Sequence, residues 1–160
     1  LYTPSRAVKT ILIVYHSQSG ATETMAQAVR DGAERVAGCR VCMKRAGDAG
    51  LEDLLAADGI IIGSPEYFGY MAGAVKDFFD RTYEQAHAAP EAFRKPCAVF
   101  VAAGNDGTGA LASIERICRG YRFKKVLEPV VAAGPLSDRV IERCRELGQT
   151  IAAGCVQEIY

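Results

Sequence analysis

Short apolar runs alternate with helical patterns along the whole chain, as in α/β proteins. The predicted strands cover residues 10–15, 40–44, 59–63, 97–102 and 125–133. The predicted helices cover residues 22–37, 51–57, 71–83, 109–121 and, after a cap at Ser137, the segment up to residue 155. Gly38 is expected to end the first helix, and Pro129 marks an irregular or edge position in the fifth strand. This alternation predicts a parallel sheet with helices on both faces.

Ligands of open parallel sheets bind beyond the carboxyl ends of the strands, where the strand order reverses. The loops after the predicted strands are therefore the candidate site, and they cover residues 16–22, 64–70, 103–109 and 134–137. Other phosphate motifs are missing. There is no Gly-Lys-Ser/Thr, and Gly104, Gly107 and Gly109 follow the fourth strand rather than the first, so neither a triphosphate P-loop nor a dinucleotide fingerprint is present.

The first loop has the composition of an anion site. Ser17, Ser19 and Thr22 offer hydroxyl groups, and the loop runs directly into the start of a helix, whose first N–H groups are free. The loop contains no Lys or Arg, so neutral dipoles would hold the anion, which suits a terminal monophosphate better than a triphosphate. The alternative is a capped helix start without a ligand.

The next two candidate loops have the composition expected beside a planar ligand. Three aromatic residues fall within residues 64–70, where they would pack against a flat ring or be buried under a neighbouring helix or subunit. Three glycines in residues 103–109 would let the backbone approach a ligand closely, or would only form a tight turn.

Composition and charge narrow the function classes. The 160 residues suit one domain over residues 1–160, with residues 1–8 as a possible tail. Basic and acidic residues number 19 each, which argues against a nucleic-acid binder and against a strongly acidic carrier. No apolar run approaches the length of a membrane span. The basic cluster at residues 116–125 is either a solvated face or a contact for a partner or nucleotide phosphate.

The six cysteines predict a reducing, cytoplasmic compartment. Cys39 and Cys42 have the spacing of a redox pair, but they lie in or beside a predicted strand. Residues three apart in a strand face opposite sides of the sheet, so we expect both to be structural. No metal site is expected.

Two segments carry a family resemblance. Residues 11–33, ILIVYHSQSGATETMAQAVRDGA, and residues 57–79, ADGIIIGSPEYFGYMAGAVKDFF, resemble flavodoxin-like proteins, most closely the tryptophan-repressor-binding-protein branch of FMN-dependent NAD(P)H:quinone oxidoreductases. The resemblance implies a flavodoxin-like three-layer sandwich with a five-stranded parallel sheet in the order 2-1-3-4-5 and FMN at the switch point.

The resemblance also implies site residues. The phosphate would be held by Ser17, Gln18, Ser19, Gly20, Ala21 and Thr22. One side of the isoalloxazine would be wrapped by Pro65, Glu66, Tyr67, Phe68 and Gly69. The other side would be wrapped by Ala103, Gly104, Asn105 and Gly107. No residue aligns with a catalytic His: His16 is expected to position the phosphate loop, and His87 to lie in a surface loop. The chain also lacks the extra segments of the longer quinone oxidoreductases.

Three functions follow as hypotheses. The first is an oxidoreductase that passes electrons from NAD(P)H through FMN to a quinone-like acceptor, with no catalytic side chain and as a homo-oligomeric dimer or tetramer. The second is a flavodoxin electron carrier that docks with a redox partner protein. The third, a phospho-acceptor receiver domain, would need acidic residues where Tyr15-His16 and Gly63-Ser64 stand.

Overall fold

A computed structural model describes residues 7–160 of the chain. The part of the predicted tail up to residue 6 lies outside these residues. The strands are β1 (Lys9–Tyr15), β2 (Cys39–Arg45), β3 (Gly59–Tyr67), β4 (Tyr70–Met71), β5 (Pro96–Ala103), β6 (Lys124–Lys125) and β7 (Val130–Ala133). The helices are α1 (Ala21–Glu34), α2 (Leu51–Ala56), α3 (Gly73–Ala86), α4 (Thr108–Gly120) and α5 (Asp138–Val156), with short 3₁₀ turns at Ala46–Asp48 and Pro90–Ala92.

The sheet has the predicted strand order. It runs β2-β1-β3-β5, and β6 and β7 both pair with β5, so the five positions of the parallel sheet follow the order 2-1-3-4-5. The predicted fifth strand is wrong in one respect, because residues 126–129 leave the sheet and divide it into two short pieces. Pro129 ends this gap and has no N–H to donate to a ladder. The first helix also ends three residues earlier than predicted, at Glu34.

The central strand β1 packs against helices on both faces. Ile11 and Ile13 point toward α1 and α5, whereas Leu12 and Val14 point toward α2, α3 and α4, and all four are fully buried. Each such side chain stabilises the fold by roughly 1.5–3 kcal/mol. The alternation of faces also settles the cysteine pair: Cys39 packs on one face and Cys42 on the other, as predicted.

Helices α1 and α5 touch through glycines. A Cβ atom on Gly32 of α1 would overlap the carbonyl of Arg145, and one on Gly148 of α5 would overlap the carbonyl of Val29. The two backbones therefore approach as closely as glycine allows, and α1 is held against α5. No helix within residues 7–160 is long and apolar enough to cross a bilayer.

Candidate functional site

The three predicted loops meet at the carboxyl edge of the sheet. Tyr15 at the end of β1 pairs with Gly63 of β3, and Pro65 of β3 pairs with Ala102 of β5. The chain passes from β1 to β2 on one side and then crosses back beyond β1 to β3. The strand order therefore reverses between β1 and β3, which is where open α/β sheets bind ligands.

The N-terminus of α1 opens onto this edge without a cap from its own side chains. Gly20 occupies the N-cap position with φ of 103°, and no side chain accepts a hydrogen bond there. The first helical bond joins the Thr24 N–H to the Gly20 carbonyl at 3.0 Å, so the N–H groups of residues 21–23 have no partner within the helix. A Cβ on Gly20 would meet nothing within 4 Å, so there is open space beside these donors.

Two hydroxyl groups flank the open helix end. Ser17 is 8% exposed and its Oγ accepts a hydrogen bond from the Gly20 N–H at 3.1 Å, which leaves its own proton free to be donated. Thr22, in the first turn of α1, is only 2% exposed and carries the second hydroxyl. Hydroxyl groups beside the free N–H groups of a helix start suit a phosphate, so the residues present fit the phosphate of FMN.

Arg45, the last residue of β2, also belongs to this edge. Its Nη1 donates to the Ser17 carbonyl oxygen at 3.0 Å, its Nη2 lies 3.6 Å from the Glu23 carboxylate, and its guanidinium lies 5.4 Å from the Tyr15 ring centroid. Arg45 was not predicted as a site residue, because it lies outside the loop that carries the hydroxyl groups. The predicted strand order would have revealed it, since Arg45 pairs with Tyr15 across neighbouring strands.

The second candidate loop is a β-hairpin, which corrects the prediction of an irregular loop over residues 64–70. Strand β3 continues to Tyr67, turns through Phe68 and Gly69, and pairs antiparallel with β4. Both turn residues have positive φ, 54° and 70°, as a type I′ turn requires. The buried Ser64 hydroxyl accepts from the Ala72 N–H at 2.9 Å, which ties the hairpin to the start of α3, two residues later than predicted.

The hairpin separates its aromatic residues. Phe68 is fully exposed and packs on no neighbouring helix. Tyr67 is half-buried against the core, and its ring meets the His16 ring edge-on at 6.3 Å. The backbone N–H of His16 donates to the Gly63 carbonyl at 3.2 Å, and the role of the His16 side chain in positioning the loop stays a prediction. His87 is the C-cap residue of α3, at the end of that helix opposite to its start at this edge.

The third loop ends in a helix whose N-terminus is satisfied by the protein itself. Asp106 accepts hydrogen bonds from the Thr108 N–H and hydroxyl at 3.0 and 2.9 Å, and these bonds lower the pKa of Asp106. Glu66 of the hairpin accepts from the Ala110 N–H at 3.0 Å. The Glu66 carboxylate is thus engaged with α4. Gly104 and Asn105 remain exposed at the loop tip.

This fold and edge define a flavodoxin-like α/β protein with a candidate anion site at the start of α1. The profile of the NADPH-dependent FMN reductase family matches residues 10–135, and the chain belongs to this family. The predicted family resemblance is therefore confirmed, and the protein is an FMN-binding flavoprotein and an oxidoreductase. NAD(P)H is the electron donor named for both the family and a quinone dehydrogenase relative.

Individual relatives agree with this assignment. The chain is 31% identical over 158 residues to a flavodoxin from Aquifex aeolicus (strain VF5), covering 89% of this chain and 84% of that protein. It is 37% identical over 92 residues to an NAD(P)H dehydrogenase (quinone) from Acidithiobacillus ferrooxidans, covering 45% of this chain and 46% of the dehydrogenase. A solved flavodoxin, WrbA-like protein from Agrobacterium tumefaciens shares the fold with a TM-score of 0.78 at 24% identity, covering 93% of this chain and 98% of that one.

Proposed function

We propose that this protein passes electrons from NAD(P)H through FMN to a quinone-like small molecule. The observation that carries the proposal is the open N-terminus of α1 at the switch point, flanked by an exposed hairpin. FMN supplies the hydride and electron transfer when bound, and the protein contributes placement and hydrogen bonds. No side-chain nucleophile is needed for this reaction.

The phosphate contacts of this proposal lie in residues 17–22. The N–H groups of the first turn of α1 donate to the phosphate, and the Thr22 and Ser17 hydroxyls add two further donors. Neighbouring residues of the loop contribute mainly through their backbone, since Gln18 and Ser19 are exposed.

The ring contacts of this proposal lie on two sides. Residues 65–69 form one side, with Tyr67 and Phe68 offering aromatic surface and Glu66 contributing through its backbone, because its carboxylate is engaged with α4. Ala103, Gly104, Asn105 and Gly107 form the other side. Both sides project from the ends of packed strands, so the ring would lie between rigid supports.

The proposed quinone activity would use the exposed side of the hairpin. Phe68 is at the tip and no described residue covers it, so a flat acceptor has room to approach the ring edge. We further propose that residues 1–160 act as one FMN-binding domain in the cytoplasm. All six cysteines are free thiols, which suits a reducing compartment.

We also propose a homo-oligomer, a dimer or a tetramer. A groove of about 850 Å³ between α3 and α4 contains Tyr70, Phe79 and Tyr83, and the exposed Phe68 stands at the same end of the molecule as Tyr70. Asp80 of the groove is already paired with Lys76, but Glu84 of α3 and Arg116 of α4 also line it, so two copies related by a two-fold axis would pair these opposite charges. Analytical ultracentrifugation of the wild type and of Arg116→Glu tests this. A monomer at micromolar concentration would contradict the proposal.

A flavodoxin electron carrier is the second candidate function. The 31% identity to a flavodoxin across 89% of this chain favours it. The equal numbers of acidic and basic residues favour the enzyme, because carriers commonly dock through a strong charge field.

Anaerobic stopped-flow mixing with NADH or NADPH separates the two functions. The enzyme's flavin absorbance should bleach within the mixing experiment, and a naphthoquinone should restore it over repeated turnovers. The matched control is Ser137→Ala at the N-cap of α5, whose flavin should bleach at the same rate as that of the wild type. Bleaching that requires an added flavodoxin reductase would identify a carrier instead.

A further inference from the structure

Arg45 reaches the phosphate loop from the neighbouring strand. The loop itself contains no Lys or Arg, and the guanidinium of Arg45 bonds to the Ser17 carbonyl at 3.0 Å. Arg45 pairs with Tyr15 in the sheet, so its Cα is fixed beside the end of β1. This places a permanent positive charge next to the loop that would bind a dianion.

Three contacts fix the Arg45 side chain in this position. Besides Ser17, it lies 3.6 Å from the Glu23 carboxylate and stacks over the Tyr15 ring, while the Tyr15 hydroxyl donates to the same Glu23 oxygen at 3.2 Å. The guanidinium is planar and can satisfy all these partners in one orientation, which a flexible ammonium group cannot.

Arg45 also controls the shape of the loop through Ser17. The Ser17 carbonyl is held by Arg45, and the Ser17 hydroxyl oxygen holds the Gly20 N–H at 3.1 Å. Gly20 begins α1. The orientation of the free N–H groups at the start of α1 therefore depends on Ser17, which Arg45 holds in place.

The charge of Arg45 has a second effect. Glu23 lies in the first turn of α1, where its carboxylate would repel a phosphate. The positive charge of Arg45 offsets the negative charge of Glu23, and the Tyr15 hydroxyl holds the Glu23 carboxylate beside the sheet. Without Arg45, the Glu23 carboxylate would lose the cation that lies 3.6 Å from it.

We propose that Arg45 is a positioning residue that holds the loop at residues 16–22 for a flavin 5′-phosphate and makes the site select FMN over riboflavin. This inference rests on the proposed placement of the FMN phosphate at the start of α1. Arg45 acts through Ser17 and through its charge.

The test compares two flavins and four proteins. Dissociation constants for FMN and for riboflavin are measured by flavin fluorescence at two salt concentrations for the wild type, Arg45→Gln, Arg45→Lys and Arg40→Gln. Arg40 is the matched control because it lies in the same strand at the opposite end, where it bonds to the Thr10 hydroxyl at 3.3 Å. The ³¹P resonance of bound FMN reports directly on the phosphate environment.

Arg45→Gln should weaken FMN by about 5- to 20-fold and riboflavin by less than about twofold, since one charge interaction near the surface is lost. Arg45→Lys should recover part of the loss, because lysine restores the positive charge but not the planar guanidinium with its several N–H donors. The salt dependence of FMN binding should decrease in Arg45→Gln, the ³¹P signal should shift, and Arg40→Gln should match the wild type.

Other results would overturn the inference. An unchanged ratio of FMN to riboflavin affinity in Arg45→Gln, or an equal loss for both flavins, would show that Arg45 does not act on the phosphate. A ratio that drops equally in Arg40→Gln would assign the effect to general charge. Failure of the proposed site is distinguishable, because the wild type itself would then bind FMN no better than riboflavin.

Discussion

Helices α1 and α5 begin at the same edge of the sheet and pack against each other, yet their N-termini are built differently. Helix α5 is closed by Ser137, whose Oγ accepts from the Val140 N–H at 3.2 Å. Helix α1 begins at a glycine without any side-chain cap. Helix α4, on the other face, is closed by Glu66 and Asp106.

This difference indicates which helix N-terminus is open to an external anion. A capped helix end is already satisfied and gains little from a ligand, whereas an uncapped end keeps unpaired donors that an anion can satisfy. In contrast to α4 and α5, α1 has no side chain that accepts from its first N–H groups. The proposed phosphate site therefore depends on the missing cap as much as on the residues present.

The largest expected effect comes from removing both hydroxyls beside α1. Ser17→Ala combined with Thr22→Val should weaken FMN by roughly 100-fold or more, because hydrogen bonds to a charged group each contribute ~1.5–3 kcal/mol. Valine matches the shape of the buried Thr22, so the fold should persist. Titrations with FMN and riboflavin measure the effect, and equal losses for the two flavins would show that these hydroxyls do not touch phosphate.

A smaller effect is expected where the hairpin closes α4. Glu66→Ala should lower the free energy of unfolding by about 1–3 kcal/mol, because the N–H of the buried Ala110 loses its partner. Urea denaturation measures the change. Glu66→Gln keeps an acceptor oxygen and serves as the control, so an equal loss in both variants would argue that the charge, rather than the hydrogen bond, closes the helix.

The comparison of α1 with α5 is sharpened by removing the cap of α5. Ser137→Ala should lower the free energy of unfolding by about 1 kcal/mol, the usual contribution of an N-cap, and leave FMN affinity unchanged. Thermal melts with a parallel FMN titration check both points. A loss of FMN affinity in this variant would mean that the two helix ends are not independent.

The smallest expected effect lies at the hairpin tip. Phe68→Asn places Asn-Gly in the type I′ turn, the pair this turn favours, and should raise stability by up to about 1 kcal/mol. Loss of the ring contact should loosen FMN several-fold, since aromatic contacts contribute ~0.5–1.5 kcal/mol beyond buried area. Unchanged affinity and flavin fluorescence would place the isoalloxazine elsewhere.

Local patterns predicted the layers of this fold well. The continuous apolar run of β1 and the capping serine of α5 both carry their signals within a few residues, and the structure has both where they were predicted. The hairpin after β3 was missed because its turn is Phe-Gly, and a bulky residue at positive φ gives no turn signal. Pro129 indicated an irregularity in the fifth strand, but not that the break would cover residues 126–129.

The site was harder to predict where it depends on long-range contacts. The loop of residues 16–22 could be recognised because its hydroxyls and helix start are contiguous in sequence. The closure of α4 by Glu66 joins residues 44 apart, and Arg45 reaches Ser17 from 28 residues away. Such pairings follow from the strand order, and only after the order is known.

The open end of α1 makes the stability of this protein a function of flavin supply. A ligand that binds only the folded chain stabilises it by mass action, by about 2.7 kcal/mol when its free concentration is 100 times Kd. The melting temperature should therefore rise with added FMN, and less with riboflavin. In a cell short of FMN, the chain would spend more time unfolded and meet proteases more often, so its abundance would follow the flavin pool.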